Sequence, residues 1–293
     1  MEGYGSWTLH HEMTRLAKAY PFLHMPVIGQ SVMGKNMAAI RIGQGTREIS
    51  YNASFHANEW ITTPLLMRFL EELADAYARG ASWRGSNIRQ LLSEATLWLV
   101  PMVNPDGVDL VLEGITADHP FGAALRYWNS GSEDFQNWKA NIRGVDLNDQ
   151  FPAHWEEEAA RRGQLGPGER DYGGEAPLTE PEATAIAAFT EWRSFELVMA
   201  LHTQGQEIYW NYRDYEPTES EAFAERLALV SGYKAVKLTG SDAGYKDWFI
   251  QCFRRPGFTV EVGLGVNPLP AEKFLALYEE VVPILLEGLK LKV

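Results

Sequence analysis

The chain has 293 residues, 45% of them apolar, enough for two small domains or for one large one, which would bury roughly three quarters of its unfolded surface. No apolar run approaches the ~20 residues of a membrane helix, and 39 acidic against 26 basic residues leave a net charge of -13, which disfavours nucleic acid and anionic membrane as partners. A single cysteine, Cys252, excludes an internal disulfide, and its neighbours Phe249, Ile250 and Phe253 make it a buried packing residue.

Trp7 to Tyr20 carries Leu9, Met13, Leu16 and Ala17 at helical spacing, and Pro21 stops it. No basic start followed by an apolar core precedes this helix, so the chain reads as cytoplasmic, or as cell-wall-associated if a wall-binding module precedes Met1. Pro26 to Ile42 holds two β-rich runs about a turn at Gly34-Lys35-Asn36, and Glu48 to Phe55 reads as extended. Trp60 to Gly80 is an amphipathic helix with Leu65, Leu66, Phe69, Leu70, Leu73 and Tyr77 on one face. After a loop at Ala81 to Gly85 and a short helix at Asn87 to Leu92, Thr96 to Val103 is a buried strand ending at Asn104-Pro105-Asp106-Gly107. Two strands separated by a helix predict a parallel, right-handed crossover.

Periodicity then fails from Glu113 to Ala176, which predicts functional loops, with Glu156 to Arg162 as a solvated charged segment. A helix opens at Thr179-Glu180-Pro181-Glu182 and runs to Trp192, and Leu197 to Leu201 is a buried strand. Helices follow at Glu221 to Gly232, Asp247 to Phe253 and about Pro270 to Leu289, with strands at Ala235 to Thr239 and Phe258 to Val262. Alternating strands and helices with no internal repeat make this an α/β protein.

Chemistry concentrates at strand ends. His56 and Glu59 stand three residues apart after an extended run, which is metal-ligand spacing at the mouth where open α/β sheets bind ligands. Zinc takes imidazole nitrogen and carboxylate oxygen, and a catalytic zinc keeps three protein ligands. Of seven histidines only His202 repeats the context, directly after Leu197-Val198-Met199-Ala200-Leu201, and it is the third candidate ligand. Glu261 lies amid Phe258, Val260 and Val262, an unusual place for a carboxylate unless the chemistry needs it.

The stretches Val103-Asn104-Pro105-Asp106-Gly107, Gly144-Val145-Asp146-Leu147-Asn148 and Phe258-Thr259-Val260-Glu261-Val262-Gly263 occur in this order, with His202 between the last two. Together they resemble the zinc carboxypeptidase family typified by carboxypeptidase A, from about Tyr20 to the C-terminus. The resemblance implies a single catalytic domain over residues 1–293 with a carboxypeptidase A-like fold, a central mixed β-sheet flanked by helices and one zinc at the carboxyl ends of the strands. It makes His56, Glu59 and His202 the zinc ligands and Glu261 the general base. It also makes Asp146, otherwise a plain turn residue, the carboxylate behind a zinc-bound histidine. The family's oxyanion-stabilising arginine falls on Lys139, with Arg143 as the alternative.

The departures concern specificity. The family's true carboxypeptidases follow the asparagine at Asn148 with an arginine that grips the C-terminal carboxylate; this chain has Asp149. The family's mobile tyrosine falls on Thr239 and the pocket-base residue on Lys246, with Tyr245 beside it as a possible phenol. Asp149 and Lys246 together suit a leaving residue that carries both ammonium and carboxylate, as meso-diaminopimelate does. With His56-Ala57-Asn58-Glu59-Trp60 and Leu147-Asn148-Asp149-Gln150-Phe151-Pro152, this looks like the γ-D-glutamyl-L-diamino acid endopeptidases, which act on peptidoglycan stem peptides. The alternatives are a carboxypeptidase of broader specificity, a zinc-dependent deacylase, and a binding module without catalysis, which would need no Glu261.

Overall fold

The computed structural model describes residues 3–292; Met1 and Glu2, on which the reading of the chain's start rests, and Val293 lie outside the described residues. Helix α1 (Ser6–Ala19) ends before Pro21 and leads to the hairpin β1 (Val27–Gln30) and β2 (Asn36–Ala38), which turns at Gly34 with φ of 78°. Strands β3 (Ile40–Gly43) and β4 (Arg47–Ala53) follow, then a 3-10 turn at Ala57–Glu59. Helix α2 (Thr62–Arg79) ends at Gly80, whose left-handed φ of 65° a glycine adopts without strain. A small hairpin, β5 (Ser82–Trp83) with β6 (Ser86–Asn87), replaces the expected loop, and α3 (Ile88–Glu94) delivers β7 (Ala95–Val100).

Helix α4 (Pro105–Glu113) begins where the sequence suggests only a strand end. The Asn104 side chain accepts a hydrogen bond from Gly107 N at 3.0 Å, and Pro105 takes the first turn, where a missing N–H leaves nothing unsatisfied. The stretch expected to be irregular holds two more helices, α5 (Gly122–Trp128) and α6 (Trp155–Arg162). In α6 three glutamates fill the first turn and two arginines the last, matching the helix dipole. Most of the run faces solvent as expected, but its Glu158 is only 2% exposed and turns inward. The remainder is α7 (Pro181–Arg193), β8 (Leu197–His202), β9 (Glu207–Tyr209), α8 (Ser220–Ser231), β10 (Lys234–Val236), α9 (Tyr245–Phe253), β11 (Gly257–Glu261) and α10 (Phe274–Gly288). Strand β9 is absent from the sequence reading, Thr239 lies beyond β10, and Cys252 is exposed on α9 rather than buried.

The main sheet has the order β10-β9-β11-β8-β4-β7-β3. Strands β7, β4, β8 and β11 are parallel, as the crossover expectation requires, while β3 and β9 run antiparallel to their neighbours β7 and β11. Every residue of β7 and β8 is buried, the pattern of a sheet covered on both faces. Ile49, Tyr51, Leu97, Leu99, Leu197 and Met199 share one core with residues of α2, α8 and α10. Trp98, Val100, Val198 and Ala200 alternate to the other, with residues of α7 and α9. Because β4, β8 and β11 are adjacent and parallel, Ala53 pairs with Leu201 and His202 with Glu261, so the chemistry-bearing ends of all three reach one edge. No helix among the described residues is long and apolar enough to cross a membrane.

Candidate metal centre and active site

Past Ala53 the chain turns sharply: Ser54 has φ of 53°, and its hydroxyl sits 2.8 Å from Thr63 Oγ1. Asn104 fixes the backbone just before His56, its Nδ2 donating to Phe55 O and to Ala140 O, both at 3.1 Å. It thereby clamps the approach to His56 against the segment that carries Lys139. A Cβ at Gly107 would stand 2.6 Å from Ala140 O, so glycine is required for this close approach.

His56 Nδ1 lies 2.9 Å from Glu59 Oε1 and 3.1 Å from His202 Nδ1, and His202 Nδ1 lies 3.0 Å from Glu59 Oε2. All three residues are buried. Two imidazole nitrogens and a carboxylate this close leave their lone pairs converging on one point, an arrangement that a bound cation relieves. His56 turns its Nε2 to Asp146 Oδ1 at 3.2 Å, which leaves Nδ1 free to ligate. Two imidazoles and one carboxylate are a donor set that fits zinc. Burial opposes charge on His56, but Glu59 and then Asp146 carry it up to about 9, whereas burial holds His202 below its usual range.

Asp146 is fully buried; besides His56 it meets Lys139, with Oδ2 at 3.3 Å from Nζ, and its Oδ1 accepts from Asn148 N at 3.1 Å. Burial works against the Lys139 ammonium, yet Asp146 and Glu59 outweigh it and hold the group charged. Glu261, half-buried at the end of β11, is pushed up to about 8 by burial and by the negative charge of Glu59, with His56 and Lys139 opposing. Six residues singled out from sequence thus share one electrostatic environment: His56, Glu59, His202, Asp146, Lys139 and Glu261.

The specificity candidates fare differently. Asn148 accepts from Tyr245 N at 3.3 Å and joins the 3-10 turn Leu147–Asp149 to the start of α9. Asp149 is 4% exposed and does not stand as an open acid: Arg162 Nε lies 3.2 Å from its Oδ2. Burial and neighbouring Asp146 raise Asp149 to about 7, against Arg162 and Lys139. Lys246 is likewise committed, donating to Asn211 O at 2.7 Å and to Asp247. The expected pair of open charges is therefore neutralised within the protein.

Three further expectations change. The Tyr245 phenol is buried 2.9 Å from Thr190 Oγ1 and packs against Phe55 and Phe151, so it serves the core rather than a substrate. Arg143 pairs with Glu180 at 3.6 Å, lining a separate cleft of about 390 Å³ with Phe121, Trp128 and Tyr172, away from the three candidate ligands. Thr239 is exposed on a loop. Arg162, Asp171, Thr203 and Asn267 also contact these residues, without a signal in the sequence. Arg162 lies in a charged run that composition alone makes solvent-facing, and the other three carry no spacing signal.

The model of the family described as zinc carboxypeptidase matches residues 9–276. Over 290 residues the chain is 51% identical to gamma-D-glutamyl-L-diamino acid endopeptidase 1 of Lysinibacillus sphaericus, spanning 99% of this chain and 73% of that protein. Bovine thrombin-activatable fibrinolysis inhibitor, solved with tick carboxypeptidase inhibitor, superposes with a TM-score of 0.76 at 18% identity, over 98% of this chain and 96% of that one. Carboxypeptidase A from Helicoverpa armigera gives 0.73 at 16% identity, over 98% and 73% of the two chains.

Proposed function

The chain belongs to the zinc carboxypeptidase family, as a zinc peptidase of carboxypeptidase A-like fold, and from this premise we propose that it hydrolyses the γ-D-glutamyl bond to meso-diaminopimelate in peptidoglycan stem peptides. Glu261 paired in register with His202 at the edge of a buried His-Glu-His triad is the observation that carries the reaction. The 51% identity to a protein named for γ-D-glutamyl-L-diamino acid bonds supports the substrate.

His56, Glu59 and His202 would hold zinc, which when bound would polarise the scissile carbonyl and make water more acidic. Glu261 takes a proton from the attacking water as its oxygen bonds the carbonyl carbon, then gives that proton to the nitrogen as the C–N bond breaks. Lys139, held by Asp146 and 16% exposed at its side chain, supplies positive charge for the oxyanion. Asp146 holds the His56 ring in its ligating orientation. Asn148, Asp149 and Lys246 shape the leaving-residue pocket as internally satisfied groups.

One observation favours a second reading, a carboxypeptidase of broader specificity. Arg162 beside Asp149 cancels the charge that would repel a free C-terminal carboxylate. Zinc-loaded protein incubated with L-Ala-γ-D-Glu-meso-diaminopimelate and, separately, with a tripeptide ending in a hydrophobic residue separates the two by mass spectrometry. Release of diaminopimelate alone is the expected result. Release of the hydrophobic residue alone would put the carboxypeptidase reading in its place.

A further inference from the structure

We propose that the exposed ion pair of Arg162 and Asp171, rather than Asp149 with Lys246, receives the distal ammonium and carboxylate of the diamino acid; this rests on the reading of the substrate above. Asp149 and Lys246 are 4% and 5% exposed, so neither is open to a ligand. Arg162 and Asp171 retain 32% and 34% side-chain exposure, and their closest atoms, Nη1 and Oδ1, are 3.2 Å apart.

The guanidinium is held from behind by two buried acids. Its Nε lies 2.8 Å from Glu158 Oε1 and 3.2 Å from Asp149 Oδ2, and Nη2 donates to Asp149 Oδ1 at 3.4 Å. An arginine carries five N–H bonds, and these contacts leave donors on the two terminal nitrogens, the fork that takes a carboxylate two-pronged. Asp171 Oδ1 faces Arg162, while among the described residues its Oδ2 pairs only with Arg170, whose Nε is 3.9 Å away. That oxygen remains open to an ammonium.

The pair is also in the right place. Asp171 N donates to Asp146 Oδ2 at 3.5 Å, and Asp146 faces the ligand His56, so one residue separates the pair from the metal centre. Carboxylate oxygens of Asp146, Asp149 and Asp171 lie within 4.8 Å of one another. Opposite charges side by side match a head group that carries ammonium and carboxylate on one carbon; a ligand with a single charge would satisfy only half of them.

The test compares L-Ala-γ-D-Glu-meso-diaminopimelate with analogues amidated at the distal carboxylate or acetylated at the distal amine. Wild type should prefer the free form. Arg162→Gln should raise KM for it roughly tenfold to a hundredfold, the scale of one charge-assisted hydrogen bond, with kcat little changed, and should no longer discriminate against the amide. Asp171→Asn should lose discrimination against the acetylated analogue instead, and, being half-exposed, it tests the pair even if Arg162→Gln fails to fold. Wild-type discrimination retained in Asp171→Asn, or in a folded Arg162→Gln, would overturn the assignment while leaving the proposed reaction intact. If wild type cleaves none of the three, the reaction falls; calorimetric binding of meso-diaminopimelate, weakened in the variants or not, still decides the pair.

Discussion

Asn267 lies on the loop beyond Glu261, and its amide binds both sides of the metal centre. Its Nδ2 donates to Thr203 O at 2.8 Å and reaches Glu59 Oε1 at 3.5 Å, the Thr203 hydroxyl donates back to its Oδ1 at 2.7 Å, and Thr203 N donates to Glu59 Oε2 at 3.2 Å. The residue after one ligand is thereby tied to another ligand and to the loop beyond the base. Asn267→Ala should lower zinc affinity about tenfold to a hundredfold, the usual cost of losing a group that orients a ligand, as measured by chelator competition. Unchanged affinity would reduce Asn267 to a loop residue. Glu261→Gln should behave oppositely: zinc stays bound, and turnover falls by roughly a hundredfold to ten-thousandfold. A variant that keeps most of its rate would remove Glu261 as the base. Legibility in sequence divides these two residues for a physical reason. A carboxylate inside an apolar strand violates burial preference and is noticed, whereas an asparagine before Pro268 satisfies every local rule for a turn.

Helix α6 shows the same limit at the scale of an element. Its composition, Trp155-Glu156-Glu157-Glu158-Ala159-Ala160-Arg161-Arg162, offers no apolar stripe, so periodicity cannot detect it. It is held instead by ion pairs with residues far along the chain. Asp242, 2% exposed on the loop before α9, accepts from Tyr212 OH at 2.8 Å, from Arg213 Nε at 2.8 Å and Nη2 at 2.9 Å, and from Arg161. Its own N–H donates to Glu158 Oε2 at 3.0 Å. This network fastens α6 to the wall that includes Lys246, and α6 in turn carries Arg162 to Asp149. Asp242→Ala should cost about 2 kcal/mol in urea unfolding, because Tyr212 OH loses its charged acceptor while Arg161 and Arg213, 37% and 35% exposed at their side chains, regain water. It should also raise KM more than it lowers kcat, since the metal ligands are untouched. A loss below roughly 1 kcal/mol, the range of exposed pairs, would mean that α6 is held by other contacts. Helices with apolar faces, such as α2 and α10, were readable because their burial is written in every turn. Helix α4 was not, because its signal is a cap and a proline rather than a stripe.

Across the whole molecule, the parallel core of the sheet is implied by apolar runs separated by helices, but its order is not: β9 is three residues long and its place beside β11 is a tertiary fact. The same holds for buried charge linking distant segments. Glu182, fully buried at the start of α7, accepts from Val32 N at 3.1 Å in the loop between β1 and β2, and from Asn141 Nδ2 at 3.4 Å. Asn141 Oδ1 in turn accepts from Arg143 N and Val145 N, shaping the turn that presents Asp146 to His56. Burial, and then the negative charge of Asp106 and Glu180, pushes Glu182 up to about 7. An unfolded glutamate titrates near 4.3, so the folded state binds this proton more tightly. The stability the group contributes is complete below that value, declines as pH rises, and is gone above about 7. Glu182→Gln cannot ionise and escapes the decline. Urea unfolding of both proteins should show wild type losing stability relative to the variant between about pH 4.3 and pH 7, with a constant difference above it. A difference independent of pH would mean that Glu182 titrates as an ordinary carboxyl and that the three segments are joined without a proton.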